Sequence, residues 1–153
     1  MANTFSQIYI QVVFAVQGRQ SLIKSDWKEE FYKYITGIIT NHKQKLLAIG
    51  GIENHIHILI GLKPNCEISK LVQEIKANSS KFVNQKRFIS GKFSWQEGFG
   101  VFSYSRSQLD KVVKYIQTQE EHHTKKSFKK EFIEFLEHFE IEYDEKYLFD
   151  WEE

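Results

Sequence analysis

The chain has 153 residues, a formal net charge of +1, 41% hydrophobic and 15% aromatic residues, and one cysteine, Cys66. This length and composition predict one globular domain with its own core, and they exclude an intrinsically disordered protein. A single cysteine cannot form an intrachain disulfide, and the apolar run at 12–16 is too short to cross a bilayer. We therefore expect a cytoplasmic protein with no membrane segment.

The order of the predicted elements indicates the fold. Apolar residues at every second position predict strands, and a 3.6-residue spacing predicts amphipathic helices. In chain order we predict strand 5–16, helix 25–42, strands 46–52 and 55–62, helix 67–83, strand 101–104, and helices 108–123 and 125–138, with an irregular aromatic end at Ile141–Trp151. This order predicts an α+β, ferredoxin-like antiparallel sheet with helices on one face, plus C-terminal helices.

The same pattern predicts how the domain is divided and which face of the sheet is free. We expect a single domain over 1–153, with a core at about 5–123 and a helical, acidic extension at 124–153. Strand 5–16 is expected to be covered on one side only. The second face of the sheet is therefore predicted to be open.

Two histidines begin the third predicted strand, immediately after a tight turn at Glu53–Asn54. Alternate side chains of a strand point to opposite faces, so His55 and His57 share one face while the isoleucines between and after them share the other. Neutral imidazole is the commonest metal ligand, and two at i, i+2 can chelate one ion. Alone, such a pair is more often two surface histidines than a metal site.

A second candidate group lies on the predicted helix 108–123. Tyr115 and Gln119 are four residues apart, so they stack on one face of that helix. Taken alone, a tyrosine at a core boundary and a glutamine on a helix are ordinary packing and solvated residues. We expect His122 and His123, which follow, to face solvent or phosphate rather than a metal.

The segments NHIHILIGL, WQEGF and YIQTQEEHH, in this order, resemble the single-tyrosine HUH transposases of insertion sequences that move as single-stranded DNA. The resemblance covers roughly 5–139. It implies that Tyr115 is a catalytic nucleophile and that His55, His57 and Gln119 hold a divalent ion, Mg²⁺ or Mn²⁺. It also implies cleavage and rejoining of DNA through a 5′-phosphotyrosine, and a homodimer in which the tyrosine helix is supplied in trans.

The charge distribution indicates where DNA would bind. Residues 63–115 hold ten Lys and Arg against four Asp and Glu, whereas residues 130–153 hold two against ten. A basic segment suits a phosphate backbone, although solvated helix faces would give the same pattern. The candidates for holding a DNA hairpin and single strand are Lys70, Lys76, Lys81, Lys86, Arg87 and Arg106.

Two other functions remain open at this stage. One is a domesticated HUH nuclease that acts on repeat hairpins rather than moving an element. The other is a non-catalytic module that binds single-stranded nucleic acid on its sheet. Such a module uses exposed aromatic residues for base stacking, and on this face the sequence offers histidines, glutamines and only Tyr9. The sequence therefore favours catalysis.

Overall fold

The computed structural model describes residues 4–18 and 22–149. Its elements are β1 (Tyr9–Ala15), α1 (Ser25–Asn41), β2 (Lys45–Ile52), β3 (His55–Gly61), α2 (Ile68–Lys86), β4 (Gly100–Tyr104), α3 (Leu109–Gln117), α4 (Gln119–His122) and α5 (Phe128–His138). Short 3-10 turns occupy Arg106–Gln108 and Glu145–Tyr147.

The four strands form one antiparallel sheet in the order β2-β3-β1-β4. This order confirms the predicted ferredoxin-like arrangement. The register places His55 opposite Ala15 of β1 and Ile52 of β2, and it places His57 opposite Val13 and Gly50. The histidine strand is therefore central, with a paired neighbour on each side.

One face of the sheet carries the larger core. The side chains of β1 and β3 that point this way are buried beneath α1 and α2, because both helices present an apolar stripe at helical spacing. The residues from these elements are Ile10, Val12, Phe14, Phe31, Ile35, Ile56, Ile58, Ile60, Leu71 and Ile75. This part of the architecture is as predicted.

The opposite face of the sheet is covered, and the prediction of an open face was wrong. Helix α3 packs on Leu59, while α5 packs on Val13 and Ala15. Strand β1 is consequently buried on both sides, because the C-terminal helices return to the sheet. Both histidines of β3 are fully buried.

The predicted helix 108–123 is interrupted at Thr118, which separates α3 from α4. The Thr118 hydroxyl donates to the Lys114 carbonyl at 2.8 Å, and its backbone leaves the helical region. Threonine is a poor helix residue because its hydroxyl competes for backbone groups in this way. Ahead of α3, Ser105 forms a capping box with Gln108 at the 3-10 turn Arg106–Gln108.

The C-terminal part folds back on α5. Phe149 is buried, with its ring centroid 5.0 Å from that of Phe132. The prediction of an irregular aromatic end extended to Trp151, which lies outside the described residues. Within the described part of the chain, the helices are too short or too polar to cross a membrane.

Candidate active site

The histidine pair points to one spot beneath the C-terminal helices. The hairpin turn at Glu53–Asn54 starts β3 at His55, and strand alternation sends His55 and His57 to the same face. Their ring centroids are 5.0 Å apart. Asn54 Oδ1 accepts the hydrogen bond of His55 Nδ1 at 2.7 Å, and Gln11 Oε1 accepts that of His57 Nδ1 at 2.6 Å.

A third histidine joins them from the end of α4. His123 Nδ1 donates to the carbonyl of Lys126 at 2.9 Å, which turns Nε2 towards the pair on β3. Its ring centroid lies 4.7 Å from that of His55, and the side chain is 5% exposed. The prediction that His123 is solvated was therefore wrong, because the break at Thr118 and the short helix α4 turn this residue inwards.

Glu131 of α5 is the centre of the site. Its Oε1 atom lies 3.3 Å from His55 Nε2, 3.1 Å from His57 Nε2 and 3.2 Å from His123 Nε2. The side chain is only 2% exposed. Burial alone would raise the pKa of this carboxyl, but the imidazoles around it hold the pKa well below its usual range. A buried negative charge therefore lies at the meeting point of three imidazoles.

Tyr115 and Gln119 complete the group from α3 and α4. The Tyr115 hydroxyl donates to Glu131 Oε2, and the Gln119 amide donates to the same oxygen at 3.1 Å. Gln119 Oε1 faces His55 Nε2 at 3.2 Å. Burial, and then the charge of Glu131, raise the pKa of Tyr115 well above its ordinary value, so the phenol keeps its proton in this arrangement.

The donor set fits a divalent cation. In each of the three histidines Nδ1 donates to an oxygen, so Nε2 of the neutral ring is an acceptor that faces another acceptor, Glu131 Oε1, and a proton or a bound cation is needed between the two. Burial lowers the pKa of His55 to about 4, so its ring is neutral at neutral pH. Acceptors that converge on a buried carboxylate need positive charge between them. Histidines oriented through their second nitrogen are also typical of metal ligands.

The ligand atoms are close enough to share one ion. Single atoms of His55, His57 and Glu131 all lie within 4.8 Å of one another, and all three residues are buried. These residues, with the Gln119 carbonyl and His123 Nε2 alongside, could hold a divalent metal. The predicted neutral set of two histidines and one glutamine thus gains a carboxylate.

Comparisons with known proteins identify the family of the chain. The family described as "Transposase IS200 like" matches residues 4–119 of the chain. The chain belongs to the IS200-like transposase family. No curated protein is similar enough in sequence to count as a relative.

Two solved structures share the fold of this IS200-like transposase. One is a candidate transposase from Deinococcus radiodurans R1, with 18% identity, a TM-score of 0.59, and coverage of 76% of this chain and 94% of that one. The other is a REP-associated tyrosine transposase bound to a REP hairpin, with 14% identity, a TM-score of 0.61, and coverage of 79% of this chain and 72% of that one. At these identities the likeness shows the fold alone.

The family match ends at Gln119, so two members of the site lie beyond it. Glu131 was not predicted as a site residue, because its segment indicated only a helix within an acidic extension. A signal was present, since Glu131 falls between Phe128 and Phe135 on the apolar stripe of its helix. A carboxylate on a buried stripe requires a partner, and here that partner is the histidine cluster.

The residues predicted to bind DNA lie away from this cluster. Helix α2 carries four of the six, with Arg87 as its C-cap, and covers the opposite face of the sheet from Tyr115. Lys76 is half-buried, and its ammonium donates to the carbonyls of Gln96 at 2.8 Å and Gly98 at 2.6 Å. It therefore anchors the loop before β4. The exposed predicted residues are Lys70, Lys81, Lys86, Arg87 and Arg106.

Proposed function

We propose that this transposase nicks and rejoins single-stranded DNA at element ends, with Tyr115 as the nucleophile. The observation that carries the proposal is the shared carboxylate. Glu131 receives the Tyr115 hydroxyl on one oxygen and faces three imidazole nitrogens with the other. A tyrosine hydroxyl and a cluster that could hold a cation are thus joined by one side chain, which suits transfer of a phosphodiester.

The chemical step follows from these positions. The Tyr115 oxygen attacks the scissile phosphorus while its proton passes to Glu131 Oε2. A new phosphorus–oxygen bond forms to the tyrosine, and the bond to the 3′-oxygen breaks. The 3′-oxygen leaves as a hydroxyl by taking up, through water, the proton that Tyr115 gave to Glu131, so the 5′-phosphate remains on Tyr115. One ester replaces another, which allows rejoining without a nucleotide cofactor.

The histidine cluster would hold Mg²⁺ or Mn²⁺, which when bound polarises the scissile phosphate and offsets charge in the transition state. His55, His57 and Glu131 are the proposed ligands, with Gln119 and His123 beside them. Gln11 and Asn54 orient the two strand histidines through their Nδ1 atoms. Imidazole and carboxylate together favour Mn²⁺ over Mg²⁺, which prefers oxygen ligands and retained water.

The substrate is proposed to be DNA that contains a hairpin. The structural neighbour bound to a REP hairpin supports this, as do the exposed basic residues Lys70, Lys81 and Arg106. A domesticated role on repeat hairpins uses the same chemistry and remains the alternative. A non-catalytic binding module is disfavoured, because its open sheet face is absent from the described chain and a nucleophile lies among buried imidazoles.

We also propose the single-domain organisation over 1–153 and a homodimer that exchanges the tyrosine helix. Within one chain, α3 already brings Tyr115 to its own histidine cluster. An exchanged α3 would make the same contacts with a partner's sheet, as in a domain swap. The 3-10 turn Arg106–Gln108, between β4 and α3, is the point where the chain would change direction.

The test is a covalent adduct. Wild-type protein incubated with Mn²⁺ and a labelled single-stranded hairpin oligonucleotide should give a protein–DNA species that survives denaturing electrophoresis. Tyr115→Phe should give none, while Tyr34→Phe, an exposed position on α1 away from the site, should still form it. An adduct of undiminished yield in Tyr115→Phe would exclude this residue as the nucleophile.

A further inference from the structure

A cavity of about 410 Å³ opens beside the nucleophile. Tyr115 and Glu131 form one wall, and strand residues Gln11 and Tyr104 line it from the sheet. Its volume falls in the range of sites that hold small organic groups, about 300–1,000 Å³. Any group in this cavity lies directly next to the phosphate that Tyr115 would attack.

The cavity combines ring surfaces with charged groups. Phe135 and Tyr104 supply apolar aromatic surface, which suits a stacked base. The Tyr104 hydroxyl accepts a hydrogen bond from the Gln11 amide at 2.7 Å, so its own proton is left to donate. Gln11 also orients His57, which links this cavity to the histidine cluster.

A paired acceptor and donor lies at the rim. The Glu134 carboxylate accepts from the Lys126 ammonium at 2.5 Å, with the two side chains 46% and 33% exposed. Lys111 lines the same cavity. Carboxylates read exocyclic amino groups of bases, and ammonium groups read ring nitrogens, carbonyls or phosphates. The lining thus matches a nucleotide. Its base is flat and aromatic, and the edge of the base both donates and accepts hydrogen bonds.

We propose that this cavity binds the base of a nucleotide adjoining the scissile phosphate, with Phe135 as the stacking residue and Glu134 as the residue that selects an amino-bearing base over thymine. The proposal rests on the function proposed above, since the scissile phosphate is placed by Tyr115. It makes cleavage dependent on one flanking base, through contacts made by the protein itself.

Substituted oligonucleotides test the proposal. Wild-type cleavage is measured on hairpin substrates that carry cytosine, thymine or an abasic site at each of the two positions flanking the scissile phosphate. At one position we expect the abasic site to slow cleavage about tenfold or more, as for loss of a stacked base. Glu134→Gln should lose the preference for cytosine over thymine there, while Glu137→Gln, an exposed position on the same helix, should keep it.

Direct binding separates this proposal from the proposed function. Deoxycytidine 5′-monophosphate should shift the backbone NMR signals around Phe135 more strongly than thymidine 5′-monophosphate, and Phe135→Leu should weaken the response. Shifts without cleavage of any substrate would overturn the proposed function and leave the base site standing. If substrates with an abasic site at either flanking position are cleaved as fast as the intact substrate, the base site is overturned and the proposed function stands.

Discussion

The phenol hydroxyl of Tyr115 donates to the carboxylate of Glu131, which lies sixteen residues later on a different helix. The other oxygen of that carboxylate faces His55, His57 and His123. One buried side chain therefore contacts both the proposed nucleophile and the proposed ion site. Because Glu131 lies outside the segment matched by the family, its contribution can be tested separately from the motif residues.

Replacing Glu131 by glutamine should weaken metal binding and cleavage together. The amide keeps the size of the side chain but removes the negative charge and the acceptor of the Tyr115 proton. We expect the affinity for Mn²⁺ to fall about tenfold or more, as for loss of a group that orients or binds a metal. Isothermal titration with Mn²⁺ measures the affinity, and the adduct assay measures cleavage.

Glu137→Gln is the matched control for this change, because Glu137 lies on the exposed side of the same helix. It should bind Mn²⁺ as the wild type does. Unchanged Mn²⁺ affinity in Glu131→Gln would remove this residue from the ion site and leave it as a packing partner of the histidines.

Gly50→Ala should displace the tyrosine helix. A Cβ at this position would lie 2.3 Å from the carbonyl oxygen of Ile116, so α3 must move away from β2. We expect cleavage to fall about 100-fold, since a displacement of about 1 Å at a reacting group has that effect. Overpacking should also lower the free energy of unfolding by about 1–3 kcal/mol.

Gly37→Ala provides the comparison, since a Cβ added there, within α1, meets no atom within 4 Å. It should keep full cleavage and raise the free energy of unfolding by about 0.5–1 kcal/mol, because alanine is the better helix residue. Urea denaturation followed by circular dichroism gives both stabilities. Full cleavage by Gly50→Ala would contradict the close packing of α3 on β2.

Mixing two inactive variants tests the exchange of α3 between subunits. If the helix is supplied in trans, Tyr115→Phe and His57→Ala protomers should form one intact site per mixed dimer, and cleavage should return. Subunit exchange must be verified, for example by native mass spectrometry of differently tagged chains. Mixed dimers without cleavage would indicate that each site is assembled within one chain, as in the described structure.

The exposed basic residues of α2 should contribute to DNA affinity through phosphate contacts. We expect Lys70→Ala and Lys81→Ala each to weaken hairpin binding and to reduce the slope of log K against log salt by about one. Fluorescence anisotropy across a salt series measures both quantities. Lys146→Ala, in the acidic C-terminal part, should leave the slope unchanged. If the slopes of all three variants equal that of the wild type, the DNA binds on another surface.

Lys76 should behave differently from these residues, because its ammonium is already bound to the carbonyls of Gln96 and Gly98. Its side chain stabilises the loop that leads into β4. This distinction was not visible in the sequence, where Lys76 has the same helical spacing as its exposed neighbours. The difference arises from the position of a loop twenty residues later.

The sequence by itself determined the elements whose signals are local. Strand alternation placed His55 and His57 on one face. The four-residue spacing predicted that Tyr115 and Gln119 lie close together, and both contact Glu131 although the helix is interrupted between them at Thr118. The order of strands and helices predicted the sheet, because connections of these lengths allow few arrangements. These features depend on backbone periodicity, which short stretches of sequence carry.

Only the tertiary structure decided what meets the histidines. Glu131 and His123 reach them because α5 packs on the second face of the sheet and the chain breaks at Thr118. Neither event follows from periodicity. The pattern of an amphipathic helix indicates that one of its faces is buried, but it does not indicate which part of the protein that face packs against. The position of Glu131 on an apolar stripe indicated that a partner was needed, and the packing of α5 against the sheet supplied the three imidazoles.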